Sequence, residues 1–466
     1  MAVAMISLSI GYFVGGRLAD FSKHIGLSLI IALAAVFTLA IPLLTRFVLL
    51  MTDPLGLRGG AFVSALILFS PSLTMLGMVS PFAIKLATSK LDGVGSSAGS
   101  IYAVSTLGSV IGTLLLGFFL FPTLGSRTIL LATGFILLVL ATIISINKRK
   151  RLGSSITVVP CVIFAFISLI FGPKIVDAGH SYSGGSKFKI MSENESLYGW
   201  VRVIDEPTRD LRILTSDAST IGASSINTGK SRLTYQDIVG LIPAMRPKMS
   251  KALIVGLGAG HMANVLKDRY GIIVDTLEID PAVAEAATHY FGYVPNGRAI
   301  IGDARYEIRH LTGPYDLIIH DCFTGGSEPS HLLTIETLAQ LKNLLSPNGI
   351  MALNFVSFSK DNNPALASVA KTIDQIFPHQ SVFISDPGED FNDFIFLASD
   401  TKINYQTKQL KTKELAWLEL REFQVNQTEG VILSDDFNPL EHLQTRKAEH
   451  YRHVVVDWFG ANLLIR

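Results

Sequence analysis

Apolar and polar positions divide this chain into two unlike halves. Residues 25–45, 59–84, 93–126, 128–147 and 152–173 contain no Asp, Glu, Lys or Arg. Each run is long enough to cross a hydrocarbon core of about 30 Å. Soluble helices would show one polar face, and these runs show none. With the apolar first segment they predict six membrane-spanning helices, near 1–19, 25–50, 61–87, 99–122, 128–147 and 155–172. Gly11 with Gly15, and Gly108 with Gly112, have the four-residue spacing that lets helices approach closely in lipid.

Beyond a polar stretch rich in glycine and serine, Gly179 to Glu195, the period changes. Trp200-Val-Arg-Val-Ile-Asp205 and Leu211-Arg-Ile-Leu-Thr215 alternate on either side of Pro207, which predicts a β-hairpin. A helix is expected from Leu233 to about Met245. From Lys251 strands and helices alternate: Ala252–Val255, a glycine turn, a helix from His261, strands at Ile272–Leu277, Ala299–Ile301 and Tyr315–His320, a helix over Thr334–Leu345, and a strand over Ile350–Phe355. This order predicts a doubly wound, mostly parallel, Rossmann-like α/β sheet, with its site beyond the carboxyl ends of the strands. The expected organisation is a transmembrane domain at 1–175, a linker at 176–195, a small β region at 196–248 and the α/β domain at 249–466.

Charge follows the same division. Only ten Asp, Glu, Lys or Arg fall within residues 1–147, so the formal net charge of +1 describes neither half. No basic face or tail suggests nucleic acid. No acid lies in mid-span, which argues against ion-coupled transport. The two cysteines, Cys161 and Cys322, are expected as free thiols. Arg17 and Lys23, Lys85 and Lys90, and Lys148 to Arg151 all fall on one side, which the positive-inside rule makes the cytoplasm. Six spans would then place the C-terminal domain outside, whereas a nucleoside co-substrate favours the cytoplasm; the tension turns on whether the run with Pro160 crosses.

Candidate chemistry gathers at the strand ends. Gly256, Gly258 and Gly260 form a Gly-x-Gly-x-Gly turn that opens a helix, where free N–H groups meet a polar ligand. Glu278 follows 22 residues after Gly256, at the end of the next strand, as a ribose-binding carboxylate would. The pattern lacks the last glycine spacing of dinucleotide sites, so an S-adenosyl nucleoside is preferred over NAD. Asp303, in Gly302-Asp303-Ala304, is a candidate adenine ligand, with a helix N-cap as its alternative. Asp321 ends the fourth strand and is the candidate catalytic base. Asp316 and His320 read as structural. No metal is expected.

These residues carry a resemblance. Tyr198–Val201, Tyr235-Gln236-Asp237, the glycine turn, Glu278-Ile279-Asp280, Gly302-Asp303 and Tyr315-Asp316 through Asp321 resemble spermidine synthase and related aminopropyltransferases, with a class I methyltransferase-type domain. Gly11 to Asp20, Gly77 to Pro81, Tyr102 to Gly108, Asp321 to Thr334 and Ser434 to Pro439 resemble the membrane-fused form of that family. The resemblance implies decarboxylated S-adenosylmethionine as co-substrate and a polyamine-biosynthetic aminopropyl transfer. It implies Asp321 as base, Gly256, Gly258, Gly260, Glu278, Asp303 and Ala304 at the nucleoside, and Tyr235, Gln236 and Thr324 at the acceptor. Four positions depart: Ala259 and Thr324 stand where the family has acids, and Ser231 and Arg232 replace an acidic pair. Hydrogen bonds to charged groups are worth roughly 1.5–3 kcal/mol each, so a diamine would need acids from elsewhere. A methyltransferase with a membrane-near substrate, for which Ala259 would leave room for a carboxylate-bearing co-substrate, and a non-catalytic nucleoside sensor stay open. The expected partners are the bilayer and a small-molecule amine or other acceptor, with homo-oligomerisation open.

Overall fold

The computed structural model describes residues 1–21, 26–88, 94–146, 187–246, 248–323, 326–360 and 363–464, with scattered positions between 159 and 170. The chain forms two compact units, Met1–Ser181 with Phe459–Arg466, and Tyr182–Trp458.

The first unit is helical: α1 (Ala2–Phe21), α2 (Leu27–Thr52), α3 (Gly56–Ala87), α4 (Val94–Leu115) and α5 (Ser126–Ile146). Among the described residues, five helices are long and apolar enough to cross a membrane. The sixth expected span and Cys161 fall largely or wholly outside the described residues. The α3 helix runs through both Pro71 and Pro81. The two glycine pairs differ. A side chain at Gly11 would strike the Thr74 carbonyl and Gly77, and one at Gly15 would strike Met78, so α1 and α3 pack backbone to backbone. Gly108 and Gly112 have no atom within 4 Å of an added β-carbon, and α4 buries no residue. Close packing through that pair is therefore not met, because no described helix lies against that stripe. Polar side chains bond between helices, as Thr38 does with Ser72 at 2.7 Å and Ser7 with Ser70 at 2.8 Å.

The second unit starts with an antiparallel meander, β1 (Lys189–Glu195), β2 (Trp200–Glu206), β3 (Leu211–Ser216) and β4 (Ser219–Ser224). The expected hairpin is its centre, β2 and β3. Strand β1 occupies what read as the end of the linker, because Lys189–Glu195 pairs along β2 despite its polar composition. Helix α6 (Thr234–Met245) leads to β5 (Lys251–Val255), α7 (His261–Tyr270), β6 (Ile273–Glu278), α8 (Pro281–Phe291), β7 (Ala299–Ile301), β8 (Tyr315–His320), α9 (Ile335–Asn343), β9 (Leu345–Phe358), α10 (Pro364–Ile376), β10 (His379–Ile384), β11 (Phe391–Ser399), α11 (Thr412–Glu419), β12 (Glu422–Phe423) and α12 (Thr445–Phe459).

The sheet order is β12-β10-β11-β9-β8-β5-β6-β7. From β7 to β9 it is parallel, and β11, β10 and β12 join antiparallel. The sheet is thus Rossmann-like and mixed. Alternate residues of one strand feed opposite cores: Leu253 and Val255 pack with α9 and α10, Ala252 and Ile254 with α6 and α7. Chain order reverses between β5 and β8, so the tips of those two strands open a crevice at the switch point.

Candidate active site

Backbone geometry at the switch point explains the glycines. Asp321 N–H donates to the Val255 carbonyl at 2.8 Å, drawing the ends of β8 and β5 together. A β-carbon on Gly256 would collide with the Asp321 carbonyl, and its φ of +95° disfavours any side chain. A β-carbon on Gly258 would meet the Ile221 carbonyl of β4. The glycines therefore let the turn fit between neighbouring chain segments, with the Gly256 N–H donating to the Leu277 carbonyl at 2.9 Å. Gly260 is packed against Tyr293 and sits behind the cavity wall.

Above the turn lies a cavity of about 530 Å³, within the usual range for a small-molecule site. Gly256, Gly258, Glu278, Asp303 and Ala304 line one part, and Tyr235, Asp321, Asn354 and Asp393 another. The two acids expected at a nucleoside thus face one space. Glu278 Oε2 accepts from Leu257 N–H and Oε1 from Asp280 N–H, both at 3.0 Å. These bonds aim the carboxylate and leave lone pairs for two hydroxyls. Burial raises its pKa against the lowering effect of those N–H groups. Asp303 Oδ1 caps the following turn through Tyr306 N–H at 3.0 Å, so the N-cap alternative holds together with a place on the wall.

At the other end Asp321 is held by side chains. Tyr235 Oη donates to Oδ2 at 2.7 Å, and Asn354 Nδ2 donates to Oδ1 at 2.9 Å. Burial raises the Asp321 pKa against the lowering effect of the Asn354 and Tyr235 hydrogen bonds. Burial and the Asp321 charge push the Tyr235 hydroxyl well above its ordinary value, so it stays a donor. Gln236 does not reach the cavity; its amide donates to Tyr235 Oη at 3.2 Å and orients it. Thr324 lies outside the described residues. His320 is wholly buried, and desolvation lowers it to about 4. Asp316 accepts from Ser250 and Lys251 N–H at the opposite end of the sheet.

Ala259 changes its meaning here. It is 1% exposed and packs under Gly222, Val201 and Val203 of the meander. It is not on the cavity wall and makes no room for a co-substrate carboxylate. Arg232 is tied to Asp210 at 2.9 Å.

Three contributions were not read from sequence. Asn354 interrupts the apolar run of β9, and its position between Leu353 and Phe355 was the available signal. Asp393 lies in Phe391-Asn-Asp-Phe394 of β11, an acid within an otherwise apolar strand. Helix α12 supplies Tyr451, Val454, Val455 and Trp458 to the wall. Tyr451 Oη accepts from Thr220 N–H at 2.8 Å, fixing α12 to β4. No local pattern reveals that a C-terminal helix covers the crevice. Among the described residues, no group of three or more His, Cys, Asp or Glu is placed to hold a metal ion.

Similar proteins fall into two kinds. The N-terminal histidine N-methyltransferase of Emericella nidulans is 30% identical over 244 residues, 46% of this chain and 43% of that protein. The polyamine aminopropyltransferase of Vibrio vulnificus is 34% identical over 183 residues, 37% of this chain and 60% of that one. A probable polyamine aminopropyl transferase of Bifidobacterium longum is 24% identical over 242 residues, covering 51% of each. The chain thus spans about half the length of these curated relatives. No family model matches. The C-terminal domain has a spermidine synthase-like fold of the S-adenosylmethionine-dependent transferases. These relatives support S-adenosylmethionine, intact or decarboxylated, as the co-substrate.

Proposed function

We propose that this chain is a membrane-anchored transferase that moves an aminopropyl group from decarboxylated S-adenosylmethionine to an amine. One observation carries the reading: Asp321, held by Tyr235 and Asn354, opens onto the same cavity as Glu278 and Asp303. In this reading Glu278 accepts from the ribose hydroxyls and Asp303 from the adenine amine. The bound sulfonium supplies an electrophilic carbon. Asp321 takes a proton from the incoming amine, whose freed lone pair attacks that carbon, and the carbon–sulfur bond breaks with its electron pair going to sulfur. The cavity walls contribute by holding the two reactants together. The apolar half, residues 1–175, anchors the domain, with the C-terminal domain on the cytoplasmic side where the co-substrate is made.

Methyl transfer from intact S-adenosylmethionine is the second reading, supported by the 30% identity to a methyltransferase. Titrating the full chain in lipid nanodiscs separates the two. The aminopropyl reading expects tighter binding of the decarboxylated form, and methylthioadenosine release with an amine acceptor. Preference for the intact form, with S-adenosylhomocysteine as product, would replace it. Binding of neither, nor of methylthioadenosine, would leave a non-catalytic protein. Resistance to alkaline extraction from membranes tests the anchor, and protease protection of the C-terminal domain in sealed vesicles tests its side.

A further inference from the structure

We propose that Asp393 selects the acceptor: with Asp321 it forms a two-carboxylate clamp that takes a cationic amine and rejects a neutral molecule of the same shape. The inference rests on the transferase reading and adds a specificity residue to it.

The geometry begins with Asn354. Its Nδ2 donates both to Asp321 Oδ1, at 2.9 Å, and to Asp393 Oδ1, at 3.3 Å. One amide nitrogen therefore holds two carboxylates side by side on the cavity wall. They come from β8 and β11, with β9 between them. The other Asp393 oxygen accepts from Ser385 Oγ at 3.3 Å.

Charge makes this arrangement informative. Buried carboxylates need a partner. Close by, Glu328 has one: it is ion-paired with buried Lys447 of α12 and also accepts from Val356 N–H at 2.8 Å. The Lys447 ammonium also acts on Asp393 electrostatically, without an ion pair to it. Among the described residues, no Lys, Arg or His forms an ion pair with Asp321 or Asp393. The wall thus carries two acids whose hydrogen bonds come from neutral donors alone, and burial with the Asp321 and Glu328 charges raises the Asp393 pKa to about 6. An ammonium group entering between them would supply the missing charge. The adjoining walls suit its hydrocarbon stem. Phe391 and Phe323 both lie against Tyr451, at centroid distances of 6.4 and 5.2 Å, and all three line the cavity. Aromatic faces attract cations as well as alkyl chains.

The test uses the full chain in nanodiscs, with and without saturating methylthioadenosine, titrated calorimetrically with 1,4-diaminobutane, butylamine and 1,4-butanediol. The wild type is expected to bind both amines and to bind the diol at least about tenfold more weakly, as one lost charged hydrogen bond implies. Asp393→Asn should weaken the amines by about tenfold or more, leave methylthioadenosine affinity unchanged and narrow the gap to the diol. Asp393→Glu should recover part of the loss, and Asp393→Ser serves if the amide variant does not fold. Unchanged amine affinity in a folded variant overturns the proposal, as does equal binding of diol and diamine, or no amine binding. If methylthioadenosine itself fails to bind, the transferase reading falls, and the nucleoside-free amine titrations still decide the role of Asp393.

Discussion

At the end of the cavity proposed for the nucleoside, Glu278 and Asp303 are fixed by main-chain N–H groups of Leu257, Asp280 and Tyr306. At the end proposed for the acceptor, Asp321 and Asp393 are fixed by the side chains of Tyr235, Asn354 and Ser385, drawn from three separate chain segments. The first arrangement follows from the turn itself and changes only if the turn changes. The second can be retuned by single substitutions. A scaffold built this way can keep its co-substrate while its acceptor varies, which fits relatives that include both aminopropyltransferases and methyltransferases.

The sharpest break between the two ends is expected at Asp321. Asp321→Asn should lower turnover by about 10²–10⁴-fold, the usual worth of a general base, while methylthioadenosine affinity is retained. Unchanged turnover in single-turnover kinetics would remove Asp321 from the chemistry. Glu278→Gln should do the opposite, weakening nucleoside affinity by about 10–100-fold, the equivalent of one or two hydrogen bonds to a charged group. Equal nucleoside affinity would show that the ribose is held elsewhere.

Asp393 gives a pH test. Its pKa rises from 3.8 to about 6 in the folded chain, through burial and the neighbouring Asp321 and Glu328 charges, partly offset by Asn354 and Ser385. The folded state therefore holds the proton more tightly than the unfolded chain. Stability falls as pH climbs from about 4 to about 6 and stays lower above that. Asp393→Asn should raise the thermal midpoint at pH 7.5 by the equivalent of about 1–2 kcal/mol, with the gain vanishing near pH 4. A gain that is equal at both values would assign the effect to packing. The smallest contrast lies in the helical unit. Gly11→Val should lower the thermal midpoint in detergent, because α3 occupies the space, whereas Gly112→Val should leave it unchanged within error. Equal effects would mean that the α1–α3 contact carries no stability.

Much of the fold was legible. The uncharged runs mark four of the five long apolar helices among the described residues, and the apolar first segment marks the other, because a helix without charge on any face leaves few alternatives. Strands β5 to β8 and their helices follow from short apolar runs closed by glycine or proline. The glycine turn, Glu278 and Asp303 were legible because strand, turn and acid adjoin in sequence. Asp321 was legible as a strand end. Strand β1 was missed because polar residues along an exposed edge give no apolar alternation. Gly108 and Gly112 misled because spacing states that a helix can pack closely and not whether a neighbour is there.

Taken alone, the amino-acid order determined what local periodicity and local turns can encode: the apolar half, the α/β alternation and the acids Glu278 and Asp303 at the strand ends that line the cavity. Only the tertiary structure decided which distant groups meet. It hid Ala259 beneath the meander, set Gln236 behind Tyr235, brought α12 over the crevice, and joined Asp321 to Asp393 through Asn354. The physical reason is sheet order. The strand β11 carrying Asp393 follows β9 through a helix and a further strand, yet it pairs beside β9 and antiparallel to it, and no spacing along the chain encodes that neighbour.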